Sequence, residues 1–206
     1  MNGKTVILFG GTFAPPHLGH VHAAECAVEA LKPDKLLIVP TAIPPHKLKV
    51  SVDTPEIRLE MCKAAFGHIE KCEISSFEIE KGGVSYTVDT LEHLNGIFDK
   101  IYLLCGSDMF LTLDTWHKAE RVFELASMVC VPRCDDDKEC IFKKKKEYEE
   151  RFLADVTIIE SDVMEISSTE ARGAIAAGKK LADVIPRGVE KIVRRENLYC
   201  GANEHE

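Results

Sequence analysis

The sequence predicts an α/β protein built on a doubly wound parallel sheet. Two observations carry that prediction: short apolar runs with little polar interruption recur along the chain, and most lead into a segment of helical period. The runs at 5–9, 35–39, 71–74, 101–105, 128–131 and 156–159 read as strands buried on both faces. The first, Thr-Val-Ile-Leu-Phe, leads through two glycines to a helix at 17–31. Helices at 55–66 and 88–98 follow the second and third runs, one at 118–125 follows the fourth, and helices at 168–177 and 188–195 come last. The loop at 41–54 and the charged stretch at 133–151 are the main irregular segments. Lys143 to Lys146 form a lysine run, but Asp135, Asp136, Asp137, Glu147, Glu149 and Glu150 flank and largely cancel it, so the stretch reads as a solvated helix face. No repeat or Gly/Pro/Ser-rich linker divides the chain. A single domain over 1–200 is expected, with 201–206 as a disordered tail.

Composition narrows the function. With 45% hydrophobic and 29% charged residues in 206, the chain has the balance of an ordinary globular enzyme. A net charge of −8 argues against nucleic acid or an anionic membrane as partner, because both demand a positive field. Any phosphate must therefore be held by a local site. No stretch reaches the roughly 18 apolar residues of a membrane span, and Met1-Asn2-Gly3-Lys4 leads into strand residues without a signal-peptide core, so the cytoplasm is the expected compartment. The eight cysteines are scattered and read as reduced thiols. Cys130, Cys134 and Cys140 lack the CxxC spacing of a zinc site.

The stretch "FGGTFAPPHLGH", Phe9 to His20, holds the first chemical signal. Gly10 and Gly11 let the backbone turn sharply beyond the strand and approach a ligand without a Cβ in the way. The helix starting near His17 aims its free N–H groups and the positive end of its dipole at the same place, which suits phosphate. His17 and His20, spaced i, i+3, share one face of the first turn, and Gly19 between them leaves room for a ligand. His22 lies about 200° further round and faces elsewhere, so a three-histidine metal site is not expected. A second signal is "ISSTEARG", Ile166 to Gly173. Ser167-x-x-Glu170 is a capping box that starts a helix and makes another anion site, with Arg172 able to clamp phosphate oxygens.

"GGTFAPPHLGH" resembles the GTFDPxHxGH signature of the HxGH nucleotidyltransferases, and Ile166–Arg172 resembles their late ISSTxxR motif. One position departs: Ala14 stands where the family usually has an acidic residue or asparagine. "PPHK" at 44–47, "VSYTVDTL" at 84–91, "GSDMFLTLDTW" at 106–116 and the ending "IPRGVEKIVRRENLY" are similar to segments of the nicotinate-nucleotide adenylyltransferases, so the resemblance covers essentially the whole chain. It implies a Rossmann-like sheet of nucleotidyltransferase type with C-terminal helices. It also implies transfer of the adenylyl group of ATP, with Mg²⁺, to nicotinate mononucleotide, giving deamido-NAD and pyrophosphate. His17, His20 and Arg172 would then be catalytic. Gly10, Gly11, Thr12, Phe13, Ile166, Ser167, Ser168, Thr169, Gly106 and Asp108 would join them in binding ATP.

Lys47, Tyr86, Thr87, Asp108 and Trp116 would bind the acceptor. Lys47 offsets its phosphate, the helix after Tyr86-Thr87 offers N–H groups to its carboxylate, and the tryptophan offers a π-face to its pyridine ring. Two residues keep a second reading open: Asp108 as a ribose ligand or a helix N-cap, and Trp116 as a stacking platform or a half-buried core residue. Two rival functions also stand. One is the nicotinamide form of the reaction, alone or alongside the nicotinate form. The other is a nucleotide sensor without chemistry, favoured only by Ala14. The sequence leaves a homo-oligomer open.

Overall fold

The computed structural model describes residues 3–44, 53–134, 136–162 and 164–200. Its strands are β1 Thr5–Gly11, β2 Lys35–Pro40, β3 Cys72–Ile74, β4 Lys100–Gly106, β5 Ser127–Val131 and β6 Val156–Ile158. They form one sheet in the order β3-β2-β1-β4-β5-β6, with every pair parallel. The helices are α1 Leu18–Leu31, α2 Pro55–Phe66, α3 Phe77–Lys81, α4 Thr87–Leu94, α5 Ser107–Phe110, α6 Ala119–Leu125, α7 Lys138–Phe152, α8 Ser168–Ala176 and α9 Arg187–Arg195.

Alternation along each strand divides the apolar residues between two cores. Ile7 and Phe9 of β1 join Leu36, Ile38, Val129 and Val131 under α1, α2, α8 and α9. Val6 and Leu8 join Leu37, Val39, Leu103 and Met128 under α4, α6 and α7. Both faces are covered, which is why the strands read as unbroken apolar runs. The strand order reverses between β1 and β4, so the loops leaving these neighbours diverge to opposite faces and open a crevice at their carboxyl ends.

Three elements differ from the sequence expectation. The stretch at 133–151 bears out the helix face expected at Lys143–Lys146 but is otherwise helical where irregular chain was expected: α7 seats Ile141 and Tyr148 in the core, and the Tyr148 hydroxyl donates to the Phe110 carbonyl at 2.8 Å. Its charges pair along the helix, Lys144 with Glu147 at 3.1 Å and Lys145 with Glu149 at 3.4 Å, so a narrow apolar stripe was hidden among them. The helix expected at 88–98 ends at Leu94, because Asn95 is extended and Gly96 takes φ 85°. Finally, Gly10 and Gly11 do not follow β1; they are its last residues, paired with Val39 and Pro40.

Candidate active site

The turn that the glycines were expected to make occurs at Phe13, whose φ of 50° is held by packing rather than by the absence of a side chain. Its ring is buried, edge-on to Phe9 at 5.5 Å, to Phe66 at 5.5 Å and to His20 at 5.1 Å. Gly11 makes room for it: a Cβ there would lie 3.1 Å from the Phe13 ring. Phe13 therefore belongs to the core beneath the site, and only its backbone is available to a ligand.

His17 is the N-cap of α1 and His20 its third residue. The His17 N–H donates to His20 Nδ1 at 3.2 Å, one half of a capping box, and the two rings stack at 3.6 Å. Because Nδ1 of a neutral His20 accepts, its proton sits on Nε2. His17 is 1% exposed, and its Nδ1 has no hydrogen-bond partner among the described residues, an arrangement that calls for an explanation such as a ligand. Gly19 keeps the neighbouring chain close: a Cβ there would come within 3.1 Å of His17 Nδ1 and 3.3 Å of the Ile166 carbonyl oxygen.

Burial, helped by the charge of Arg133, pushes the His17 pKa down to about 3. Burial, His17 and Arg133 together hold His20 well below its ordinary value. Both imidazoles are neutral N–H donors at pH 7. The sign for stability follows from the lowered value. His17 contributes fully above pH 6.5, and the contribution is lost as pH falls toward about 3, at about 1.4 kcal/mol per pH unit, because only the unfolded chain takes up the proton. Urea unfolding at pH 6.5 and pH 5 should show wild type losing about 2 kcal/mol more than His17→Asn, which keeps a capping side chain. Equal losses would contradict a buried neutral His17.

The second motif forms as expected. Ser167 Oγ accepts from the Glu170 N–H at 3.1 Å while the Glu170 carboxylate accepts from the Ser167 N–H at 2.7 Å. Arg172 then crosses to the first motif, where Nη1 donates to the Ala14 carbonyl at 2.9 Å and Nη2 to Thr169 Oγ1 at 3.3 Å. Ser168 Oγ makes a longer contact, 3.5 Å, with the Pro15 carbonyl. The substituted position 14 thus joins the two motifs through its main chain, whatever its side chain.

Sequence reasoning missed Arg133. It follows the end of β5 and reaches over the end of β4, where its Nη1 pairs with Asp108 Oδ2 at 2.7 Å and its N–H donates to Ser107 Oγ at 3.1 Å. Gly106 allows this, since a Cβ there would come within 2.8 Å of the guanidinium. Phe9, Gly19, His20, Gly106, Arg133 and Met164 line one depression at the switch between β1 and β4. His22 lines it too, contrary to expectation, with Nε2 2.8 Å from the Asp162 carbonyl oxygen. Asp108 is in the first turn of α5, whose N-cap is Gly106, so the N-cap reading of Asp108 does not hold.

The acceptor residues group separately. Tyr86 is the N-cap of α4 and Thr87 its first residue. The Tyr86 ring lies 4.4 Å from that of His117, which brings the start of α4 beside the Trp116–His117 segment. Trp116 is half-buried against the second core and borders a groove with Asp114, Arg121, Arg151 and Phe152. That groove shares no lining residue with the depression at His20. Lys47 lies outside the described residues.

Among the described residues no group of three or more His, Cys, Asp or Glu side chains could hold a metal ion. The depression offers N–H donors and a guanidinium, which suit phosphate oxygens; a magnesium ion would take its oxygen ligands mainly from ATP and water.

The family model described as cytidylyltransferase-like matches residues 8–174. A curated relative from Clostridium tetani, named "Probable nicotinate-nucleotide adenylyltransferase", is 35% identical over 95% of this chain and 99% of its own length. The chain belongs to the nicotinate-nucleotide adenylyltransferase family. A relative of the same name from Caldicellulosiruptor bescii is 34% identical over 94% of this chain and 98% of its own. A solved structure of Plasmodium falciparum nicotinic acid mononucleotide adenylyltransferase, complexed with NaAD, superposes with a TM-score of 0.75 at 19% identity, covering 95% of this chain and 97% of that one. At that identity it supports the fold, the doubly wound parallel sheet expected from the alternating apolar and helical runs.

Proposed function

We infer that the protein transfers the adenylyl group of ATP to nicotinate mononucleotide, releasing pyrophosphate and forming deamido-NAD. Beside family membership, the observation that carries this reading is the tie between the two motifs. Arg172 binds the Ala14 carbonyl 158 residues away, which sets the start of α8 against the turn before α1. Two helix N-termini, two neutral imidazoles and two guanidiniums then serve one anionic ligand.

The acceptor's phosphate is already an anion, so its oxygen can attack the α-phosphorus of ATP without a general base. The bond from that phosphorus to the bridging oxygen breaks, and the electron pair leaves with pyrophosphate. His20 Nε2–H donates to the triphosphate where charge accumulates, and His17 stacks behind it as a second donor. Arg172 and Arg133 supply positive charge that the neutral histidines do not. A magnesium ion arriving with ATP would neutralise further phosphate charge.

At the acceptor end, the N–H groups of α4 beyond Tyr86 and Thr87 suit a carboxylate, which favours nicotinate over the neutral amide. Lys47 is assigned to the acceptor phosphate from its motif alone. Trp116 is proposed to stack on the pyridine ring. Trp116→Ala should raise KM for nicotinate mononucleotide about tenfold with little change in kcat; an unchanged KM would leave Trp116 as a core residue only. Mass spectrometry of a reaction with ATP, Mg²⁺ and nicotinate mononucleotide should find deamido-NAD, and its absence with a folded protein would contradict the reading. The negative charge and the small soluble substrates favour the cytoplasm over a nucleic-acid or membrane setting.

A further inference from the structure

Arg58 sits in α2 and is 2% exposed, yet its guanidinium serves neither the helix nor the solvent. Nη1 donates to the Thr12 carbonyl at 3.0 Å and the Thr41 carbonyl at 2.6 Å, and Nη2 donates to the Ala42 carbonyl at 2.9 Å. Nε faces Asp53 Oδ1 at 3.5 Å, and the buried Asp53 accepts from the Tyr199 hydroxyl. One cation therefore joins the segment leaving β1 to the segment leaving β2. Burying a guanidinium is costly unless its donors are used; here both Nη groups are spent on loop carbonyls, while Nε has only the ion-pair contact with Asp53 among the described residues.

The connection continues beyond Ala42. The Ala42 N–H donates to Ser85 Oγ at 2.9 Å, and the Ser85 N–H donates to the Ile43 carbonyl at 3.0 Å. Ser85 immediately precedes Tyr86, the N-cap of α4. A continuous line of hydrogen bonds thus runs from Thr12, in the first motif, through Arg58 to the start of α4.

We propose that Arg58 is a positioning residue that couples the ATP side of the site to the acceptor side through the Thr12, Ala42 and Ser85 contacts. The proposal rests on the functional reading above. A nucleotide that orders the Thr12 segment also orders the Ala42–Ser85 segment, so the second nucleotide meets a site already in place. Such coupling is reciprocal: each ligand must raise the affinity of the other by the same factor.

Calorimetric titration of nicotinate mononucleotide, with and without the non-hydrolysable analogue α,β-methylene-ATP and Mg²⁺, measures that factor. Wild type should bind the acceptor at least about fivefold more tightly with the analogue present. In Arg58→Lys, whose single ammonium cannot span three carbonyls, the factor should fall to about one. Ser85→Ala should do the same while leaving affinity for the analogue alone nearly unchanged, an effect that general destabilisation would not produce. Melting curves identify folded variants, and if Arg58→Lys does not fold, Ser85→Ala and Tyr199→Phe decide. A wild-type factor of one, or folded variants with the wild-type factor, would overturn the coupling alone. Failure of wild type to bind either nucleotide would overturn the functional reading and the coupling with it.

Discussion

His20→Ala is expected to lower kcat by about 10²–10³-fold, the usual cost of removing one donor aimed at developing charge. The proposed role, a donor to charge that develops in the reaction, places the loss on kcat. His20 Nδ1 is occupied by the His17 N–H, so the ring is oriented and Nε2–H is its remaining polar group, in a residue that lines the depression. The same substitution removes an acceptor from the N-terminus of α1 and costs about 1 kcal/mol of stability. Unfolding and steady-state kinetics together separate the effects, because a loss of that size leaves the enzyme folded. A folded His20→Ala enzyme with near-normal kcat would remove His20 from the chemistry. Since both imidazoles are neutral at pH 7, activity should not require a histidine to be charged in the free enzyme.

Arg172→Ala should lower kcat/KM for ATP by about 10–100-fold, the range expected when charged hydrogen bonds are lost. Two contributions combine. The proposed phosphate contact of the guanidinium is lost, and so is the observed link from the Ala14 carbonyl, before α1, to α8. Arg172→Lys distinguishes them, because a lysine keeps the charge but cannot hold a carbonyl and a phosphate with a planar fork. Lysine should recover less than a tenth of the lost activity if the tie matters. Full recovery would mean that Arg172 acts only as a point charge.

What the sequence made legible had local causes. The β1 run and the His17–His20 spacing, like the Ser167-to-Glu170 box, are encoded within a few residues, and each forms as expected. What was illegible depends on distant parts of the chain. Phe13, not a glycine, makes the turn after β1, because Phe9, Phe66 and His20 hold its ring and Gly11 yields the space. Arg133 reads as one more charge in a charged stretch until the strand order places the end of β5 beside that of β4. Arg58 reads as one polar residue of α2, and His117 as an exposed ring; no sequence pattern announces the carbonyls of one or the Tyr86 contact of the other. In α7 the sequence shows a solvated charged face but not the length of the helix or its seat in the core, because only Ile141 and Tyr148 among its residues are buried.

The acceptor assignment is the central claim, and comparing acceptors tests it most directly. Pyrophosphate release by the purified protein with ATP and Mg²⁺ would be measured with nicotinate mononucleotide, nicotinamide mononucleotide and phosphopantetheine. The account predicts that the nicotinate form is preferred over the amide in kcat/KM by at least about tenfold, the worth of one charge-assisted contact at the start of α4. Phosphopantetheine should give no release above background. Equal rates with nicotinate and nicotinamide would contradict the carboxylate site at Tyr86 and Thr87, and no release with any of the three would contradict the catalytic reading itself.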